Sequence, residues 1–417
     1  MQIAHKIELK PNNKQKTYFK KACGVSRFSW NWALAQWNRQ YEENKKAEPE
    51  ECIKISGMSL KKQFNAIKKD KFPWTREVTK YAAQQPFIQL QSAWKRFFDP
   101  KLKNRKPQFK KKNKSADSFY IGGDHLKIQD KKICIPKLGF VRLKENLRFK
   151  GKINSATISR TADRWFVSMQ VKIEDKTFKK CVAERGVGID LGINRMVTMS
   201  DGIAIDSPKP LKKYLRKLKR AQRVMAKKIR AAKKDKRKIS ESKNFRKQKN
   251  KIAKIHMKIS NIRKDATQKV TSFVTNNYLH ISIEDLQVSG MIKNHNLARA
   301  ISDIGFGEIR RQLEYKAKIR GNTIYVADRF FPSSKTCSNC KEIRQDLKLK
   351  DRIFKCRCGN EMDRDLNAAI NLEGIINQNV RPVRSELTPV KITAMQDSVF
   401  PILVTSIVES GSKRQAV

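Results

Sequence analysis

The sequence contains few histidines and no long apolar run. Only five histidines occur among the 417 residues, and none forms a spaced pair, which argues against a histidine-based nuclease or a histidine-rich metal site. No apolar segment is long enough to cross a bilayer, and residues 1–7 lack the apolar core of a signal peptide. We therefore expect a soluble, cytoplasmic protein with no membrane partner. The histidines are His5, His125, His256, His280 and His295.

Acidic side chains are also scarce, with 39 Asp and Glu against 93 Lys and Arg, and the formal net charge is +54. A charge of this sign and size indicates a polyanionic partner. Nucleic acid is the leading candidate, because Lys and Arg neutralise its phosphates, and a membrane surface is the lesser alternative. The hydrophobic share of 39% is sufficient for packed cores, and the length allows two to four domains.

The eight cysteines fall into two groups. Four are isolated in the sequence and are interpreted as free thiols: Cys23, Cys52, Cys134 and Cys181. The other four form a Cys-x-x-Cys pair and a Cys-x-Cys pair, which is typical of a tetrahedral structural Zn²⁺ site with no open position for catalysis. This zinc module is predicted over residues 333–362, and its minimal role is to stabilise a segment too small for a core. The predicted ligands are Cys337, Cys340, Cys356 and Cys358.

The first third of the chain changes from a strand to helices. Residues 1–10 alternate apolar and polar side chains and predict a strand. Helices are predicted over 13–43, where Cys23-Gly24 should divide the segment into two, and over 58–69 and 77–98. We interpret residues 11–115 as an all-helical lobe whose aromatic side chains form a core. It ends in a basic segment, residues 101–114, that we expect to contact phosphates.

Residues 118–173 change to a period of two, which predicts six short strands separated by turns. Evenly spaced short strands are typical of a small barrel or sandwich. We predict a β-barrel formed by residues 116–184 together with residues 1–10, which makes the helical lobe an insertion within it.

The rest of the chain predicts an α/β domain. Three antiparallel strands over 187–205 precede a very basic helical hairpin at 208–264, and helices then alternate with strands. This order is that of an RNase H-like nuclease core covering 185–332 and 363–376, with the zinc module inserted. The later elements are helices at 266–276, 302–319 and 365–376 and strands ending at 284 and 326. We expect the tail, residues 377–417, to be poorly ordered.

Three acidic positions stand out in this core. Asp190 and Glu284 each end a short apolar run, and a third acid comes from Asp363-Arg-Asp365 at the start of the last helix. A carboxylate at the end of a buried strand is costly unless it is paired or binds a metal. Together these acids could hold two divalent cations, which activate a water and stabilise the leaving oxygen of a phosphodiester.

These motifs resemble those of TnpB, the OrfB-type RNA-guided nuclease of bacterial insertion sequences, which is related to type V CRISPR effectors. The resemblance covers residues 1–375. It is strongest in five segments: Gly188-Ile-Asp-Leu-Gly192, Ile283-Glu-Asp-Leu286, Ile301-Ser-Asp-Ile-Gly-Phe306, Phe331-Pro-Ser-Ser-Lys-Thr-Cys-Ser-Asn-Cys340 and Cys358-Gly-Asn-Glu-Met-Asp-Arg-Asp-Leu-Asn-Ala-Ala369.

The resemblance implies a RuvC nuclease domain, a zinc-binding target-strand module, a helical recognition lobe and a wedge β-barrel. It implies an RNA-guided endonuclease that cuts double-stranded DNA with two Mg²⁺ or Mn²⁺ ions, beside one structural Zn²⁺. The guide RNA would come from the transposon end, and the protein would read a short motif next to the target. One chain would act on one RNA, in the cytoplasm of a bacterium, at the nucleoid.

Motif matching implies that Asp190, Glu284 and Asp365 are the catalytic metal ligands, with Asp363 as the reserve for the third position. Asp365 also opens the final helix, where its side chain could reach free backbone amides. Lys80 and Gln84 resemble the residues that read the target-adjacent motif. Two departures from the family pattern are the Cys-x-Cys pair and Lys341, where glycine often follows the first cysteine pair.

Two other functions remain open from the sequence. One is a guided DNA-binding repressor that no longer cuts, although such relatives usually lose one or more of the acids. The other is a transposase acting directly on transposon ends, since an RNase H-like fold does not by itself decide between these activities.

Overall fold

The structure, a computed structural model, divides into two compact units, residues 1–177 and 178–417. Among the residues described, no helix is both long and apolar enough to cross a membrane. Cys181, one of the isolated cysteines, lies outside the residues that the structure describes. The structure describes residues 1–102, 104–174, 184–236, 239, 242–348, 351–379 and 404–406.

The first unit begins with a strand and continues into three helices. Asn12 caps the first helix, because its side chain accepts a hydrogen bond from the Gln15 amide at 2.9 Å. The break predicted at Cys23-Gly24 is wrong, and this helix is continuous. A helical glycine costs only about 1 kcal/mol relative to alanine, and the buried stripe on both sides of Gly24 offsets that cost. The helices are α1 (Asn13–Asn44), α2 (Gly57–Lys71) and α3 (Lys80–Phe98).

Aromatic side chains form the helical core, as predicted. Trp94 and Phe87 of α3 are almost fully buried, and the rings of Trp37 and Trp94 stack with centroids 5.5 Å apart. Phe19 of α1 packs against Phe119 and Trp165, whose ring centroids lie 5.9 and 5.0 Å away. The helices therefore cover part of the sheet that follows them.

That sheet has seven antiparallel strands in the order β2-β6-β7-β1-β5-β4-β3. The N-terminal strand lies at its centre, which confirms that it completes the sheet. The predicted closed barrel is wrong, because in the described part of the chain the edge strands β2 and β3 do not pair, and closure requires that pairing. The strands are β1 (Gln2–Lys10), β2 (Ser118–Gly122), β3 (Lys127–Gln129), β4 (Lys132–Ile135), β5 (Gly139–Leu143), β6 (Lys152–Thr161) and β7 (Arg164–Lys172).

The second unit contains a mixed sheet in the order β12-β11-β8-β9-β10-β15. The strands β12, β11 and β8 are mutually parallel, whereas β8, β9 and β10 form the predicted antiparallel series. Most of the tail that was predicted to be poorly ordered, residues 377–417, lies outside the described residues. Residues 404–406 of this tail form the edge strand β15. The strands are β8 (Gly186–Asp190), β9 (Arg195–Met199), β10 (Ile203–Asp206), β11 (His280–Ile283), β12 (Thr323–Val326), β13 (Ile353–Lys355), β14 (Glu361–Asp363) and β15 (Val404–Ser406).

Six helices are described in this unit. The predicted hairpin is confirmed, but its second helix and the helix predicted at 266–276 are one uninterrupted element. The helix predicted at 302–319 is divided at Gly305, whose φ of +80° is left-handed and ends the first part. The helices are α4 (Pro210–Lys234), α5 (Lys243–Asn277), α6 (Val288–Met291), α7 (Ala298–Ile304), α8 (Phe306–Arg320) and α9 (Arg364–Asn379).

Helix α9 lies directly against strand β8. A Cβ atom on Gly188 would stand 1.9 Å from the carbonyl oxygen of Ala369 and 2.4 Å from the amide nitrogen of Glu373. Only glycine allows two backbones to approach this closely. The glycine between Val187 and Ile189 therefore brings the start of α9 to the end of β8.

Candidate functional site

Two of the predicted acids lie at neighbouring strand ends. Asp190 is the last residue of β8, and Glu284 directly follows β11. The two strands are parallel, with Ile189 opposite Ile283, so the next residue of each chain segment emerges at the same edge of the sheet. This edge is the place where parallel α/β sheets form their sites.

Asp365 approaches the same edge from the first turn of α9. Its Oδ2 atom lies 3.9 Å from the position that a Cβ would take on Gly192, two residues beyond Asp190. Burial raises the pKa of Asp190 well above its ordinary value, and the carboxylates of Glu284 and Asp365 raise it further. The pKa of Glu284 is also raised, first by burial and also by Asp365. The fold thus brings the three predicted acids into one electrostatic group.

Asp363 has a different role in the same segment. Its Oδ1 atom accepts hydrogen bonds from the amides of Asp365 and Leu366, at 3.0 and 3.2 Å, and its Oδ2 atom lies 2.8 Å from Nη1 of Arg195. Asp363 therefore caps α9, a role that the sequence had suggested for Asp365. With both oxygens engaged in holding the helix start, Asp363 fits the metal-binding role less well than Asp365.

Sequence reasoning missed a loop that supports Glu284. The buried Ser333 hydroxyl donates a hydrogen bond to Oε1 of Glu284, which counteracts the rise in the pKa of that carboxyl. Asn371 of α9 donates to the carbonyl oxygens of Ser333 and Thr336, at 2.9 and 2.6 Å. Asn367, one turn earlier, donates to the Thr336 carbonyl at 2.7 Å. The only signal in the sequence was the motif that contains Ser333.

A small cavity opens beside Glu284. It has a volume of about 280 Å³ and is also lined by Asp328, Arg329, Phe331 and Ser333. Arg329 donates to Oδ2 of Asp285, which neighbours Glu284 in sequence. Of the three acids, Glu284 lines this cavity, whose wall contains both carboxylate and guanidinium groups.

The four clustered cysteines meet as predicted. The Sγ atoms of Cys337 and Cys358 lie 3.7 Å apart, those of Cys340 and Cys356 lie 3.5 Å apart, and all four lie within 4.8 Å of one another. A tetrahedral Zn²⁺ with bonds of about 2.3 Å requires sulfur separations of about 3.8 Å. In the described ranges, this is the one set of three or more His, Cys, Asp or Glu ligand atoms that meets so closely. The cluster can hold a metal ion, and zinc suits it best.

The turn after the first cysteine pair explains one departure from the family pattern. Lys341 has a φ of +65°, the left-handed region that favours glycine. Its Nζ atom donates to the Ser338 carbonyl at 3.0 Å and to Oδ1 of Asn371 at 3.4 Å. Lys341 therefore adopts the left-handed backbone conformation that glycine favours, and its side chain connects the turn after the cysteine pair to α9 by hydrogen bonds.

Lys80 and Gln84 lie in the other unit, on the first turns of α3. Their spacing of four residues places them on one helix face. Lys80 is exposed and Gln84 is half-buried. The Nζ atom of Lys80 lies 5.1 Å from the ring centroid of Tyr81. Their position suits contact with a ligand, and no chemistry follows from it alone.

Residues 108–110 of the basic segment are held against α1. The Trp30 indole donates to the Gln108 carbonyl at 3.0 Å, and Asn31 and Lys110 exchange two hydrogen bonds of 2.9 and 2.7 Å. The Lys110 Nζ atom lies 3.9 Å from the centroid of the Trp30 ring. Residues 108–110 therefore have a fixed position against the helix, which their composition alone did not indicate.

Three family profiles match parts of this chain. A profile described as "Helix-turn-helix domain", from the IS605 OrfB group, matches residues 1–46, although these residues form β1 and the uninterrupted α1. A second profile of that group, described as "Probable transposase", matches residues 168–295. The third, "Cas12f1-like, TNB domain", matches residues 306–372, which include the four clustered cysteines.

Several curated proteins are similar over most of this chain. The "Putative RNA-guided DNA endonuclease InsQ" of Escherichia coli (strain K12) is 30% identical over 410 residues, covering 92% of this chain and 97% of that protein. A "Putative RNA-guided DNA endonuclease" of Streptomyces pristinaespiralis is 31% identical, covering 88% of each chain. A solved Cas12f1-sgRNA-target DNA complex aligns over 91% of this chain with 15% identity and a TM-score of 0.33.

Proposed function

The chain belongs to the IS605 OrfB (TnpB) family, and from that membership we propose that it is an RNA-guided endonuclease that cuts double-stranded DNA. The observation that carries the proposal is the group formed by Asp190, Glu284 and Asp365 at one edge of the sheet. Two relatives of similar length carry the name of RNA-guided DNA endonuclease. The net charge of +54 suits RNA and DNA partners.

The acid group suits divalent cations. Carboxylate oxygens are the donors that Mg²⁺ prefers, and Mn²⁺ accepts the same donors. Burial and mutual repulsion raise the pKa values of Asp190 and Glu284, and this is the penalty that a bound cation would relieve. Two such ions, when bound, would supply the activated water and the stabilised leaving oxygen of phosphodiester hydrolysis.

The chain's own groups would orient these ligands. Asp190 and Asp365 are fixed by the close packing of β8 on α9, and Asp363 holds the first turn of that helix. Ser333 restrains the carboxylate of Glu284. The sheet order, with parallel β12, β11 and β8 followed by antiparallel β9 and β10, supports a RuvC-type, RNase H-like core at 185–332 and 363–376.

The other domains take the roles that the family implies. Residues 1–10 and 116–184 would form the wedge, and residues 11–115 the recognition lobe, whose Lys80 and Gln84 would read the motif beside the target. Residues 333–362 would form a target-strand module around one structural Zn²⁺. The guide RNA would come from the transposon end and bind a single chain. Retention of all three acids favours a nuclease over a cleavage-silent repressor.

The Asp190→Ala variant tests the cutting function. We expect cutting of a matched target to fall by at least about 10³-fold in Mg²⁺, because a metal ligand is lost, whereas guided DNA binding in a gel shift stays within about twofold of wild type. Asp206→Ala is the control, since it removes an exposed carboxylate at the end of β10. Wild-type cutting by Asp190→Ala would remove Asp190 from the site. Equal losses of binding and cutting would give it a structural role only.

A further inference from the structure

Asp303 of α7 is a buried carboxylate that the proposed chemistry does not use. It is 5% exposed and lies in the segment Ile301-Ser-Asp-Ile-Gly-Phe306. Its oxygens accept hydrogen bonds from the amides of Leu211 and Lys212, at 2.9–3.2 Å. Arg263 donates through Nε and Nη2 to Oδ1, at 3.0 and 2.8 Å. One acid thus contacts both helices of the basic hairpin formed by α4 and α5.

Helix α4 depends on this contact for its cap. The residue before it, Lys209, has a left-handed φ of +38° and makes no side-chain capping bond. The first amides of a helix have no partner inside the helix, and Pro210 has no amide hydrogen. Asp303 satisfies the next two amides from a distant part of the sequence. Its negative charge also suits the positive end of the helix dipole.

The contact lies where the hairpin leaves the main core. Val270 and Val274 of α5 are buried in the core of the mixed sheet. Ile255 and Ile259, further from that core along α5, pack instead in a separate small cluster with Leu218 of α4. Arg263 lies between these two sets along α5, and Leu211 is the second residue of α4. Asp303 therefore joins both helices at the base of the hairpin.

The hairpin carries a dense positive charge. Helix α4 contains twelve Lys or Arg residues and no acid, and within α5 the one acidic residue is Asp265. Cations at this density repel one another and attract the phosphodiester backbone of a nucleic acid. At 1.5 Å per residue the 35 residues of α5 extend about 52 Å, which is long enough to follow several phosphates.

We infer that Asp303 is the positioning residue that fixes the basic hairpin as a rigid arm for a nucleic-acid backbone. The inference rests on the proposed function only in assuming that the protein binds RNA or DNA; it does not require cutting. Without Asp303, the α4 amides lose their cap, the half-buried Arg263 guanidinium loses its partner, and the cations of the hairpin no longer hold one orientation.

The test compares Asp303→Ala and the milder Asp303→Asn with two matched variants. Asp265→Ala removes the same charge from an exposed ion pair with Lys269 on α5. Val274→Ala truncates a fully buried core side chain, so it lowers stability without touching the anchor. Amide hydrogen exchange of residues 211 and 212 is measured first, on protein without nucleic acid. We expect exchange at least about tenfold faster in both Asp303 variants than in either matched variant.

The second measurement is affinity against salt concentration. Binding of a transcript from the transposon end is measured on RNA-free protein, and binding of matched duplex DNA on RNA-loaded protein, which separates the two sources of phosphate. Each lost phosphate contact lowers the slope of log affinity against log salt by about 0.7–0.9. We expect the Asp303 variants to lose at least about two such contacts in one of the two assays, and Val274→Ala and Asp265→Ala to lose fewer than one.

The outcomes separate this inference from the proposed function. If wild-type protein binds neither RNA nor DNA, the proposed function fails as well. If wild type binds and both Asp303 variants keep its salt slopes, Asp303 does not position a nucleic-acid arm. Unchanged exchange at residues 211 and 212 would show that the anchor does not hold α4. If Val274→Ala changed the slope of log affinity against log salt as much as the Asp303 variants do, Asp303 would contribute only to general stability.

Discussion

Asp363 and Asp365 lie two residues apart, yet neutralising each should change thermal stability in opposite directions. Asp363→Ala removes a helix cap, which costs about 0.5–2 kcal/mol, and a partly buried ion pair with Arg195 worth up to about 1 kcal/mol. The expected loss is about 0.5–3 kcal/mol. At about 2–4 °C per kcal/mol for a unit of this size, Tm falls by about 1–12 °C.

Asp365→Asn should instead raise Tm when divalent cations are absent. Asp365 raises the pKa values of both Asp190 and Glu284, and we expect this repulsion to outweigh its ion pair with Arg364, whose N–O distance is 3.5 Å. Neutralising Asp365 relieves that repulsion, so Tm should rise above that of wild type. Cutting should be lost in Asp365→Asn and retained, at a reduced rate, in Asp363→Ala.

The assay is calorimetry of RNA-free protein in buffer passed over a chelating resin. A soluble chelator is avoided, because it would also remove any metal ion held by the cysteine cluster. Adding Mg²⁺ should then stabilise wild type more than Asp365→Asn. If Asp365→Asn lowers Tm and still cuts, while Asp363→Ala raises Tm and does not, the two aspartates have exchanged roles and the assignment is wrong.

Three further predictions follow from the packing and the titrating groups. Gly188→Ala should lower Tm by at least about 5 °C, because the new Cβ would overlap the backbone of α9 at Ala369. Gly374→Ala, which lies on α9, is the control: its Cβ would meet no atom within 4 Å, so this variant should be neutral or stabilising. Burial lowers the pKa of the Lys316 ammonium group to about 8, so between about pH 8 and pH 10.5 the unfolded chain binds a proton that the folded chain has lost. The free energy of unfolding should therefore rise with pH over this range. Urea unfolding should show this rise in wild type and not in Lys316→Met. Elemental analysis should find one zinc per chain, lost in Cys337→Ser and Cys356→Ser, and unchanged zinc in both variants would refute the cysteine site.

The strand ends were predictable because their physical signal is local. A short apolar run ending in a carboxylate identified Asp190 and Glu284, and the parallel pairing of β8 with β11 then placed them side by side. The cysteine spacing was equally informative, since four thiolates in two closely spaced pairs are typical of a metal site. The family resemblance selected Asp365 as the third acid, where spacing alone left the choice between Asp363 and Asp365 open.

The wrong predictions concerned the effect of glycines on helices and features that depend on tertiary contacts. Gly24 and Gly305 look alike in the sequence, but Gly24 stays inside a helix whose buried face continues past it, whereas Gly305 adopts a left-handed conformation and ends α7. Barrel closure depends on two edge strands meeting, which no local pattern records. The capping role of Asp363 required knowing that α9 begins at Arg364 and that Arg195 lies beside it.

Ser333 and Asp303 show a second kind of limit. Each acts on a partner that is distant in sequence: Ser333 on Glu284, and Asp303 on the start of α4 and on Arg263. Both residues lie in segments that resemble the family, but a sequence motif does not indicate which side chain forms a hydrogen bond with which partner. Long-range hydrogen bonds of this kind are visible only once the fold is known.

The central claim is that RNA directs the cutting, and reconstitution with RNA tests it most directly. Protein treated with RNase and purified again is incubated with plasmid DNA in Mg²⁺, alone and with a transcript from its own transposon end that carries a chosen guide. We predict no cutting and no sequence preference without RNA, and cutting at the matching target alone when the transcript is added. Sequence-specific cutting of transposon ends by the RNA-free protein would contradict the guided mechanism and favour a transposase.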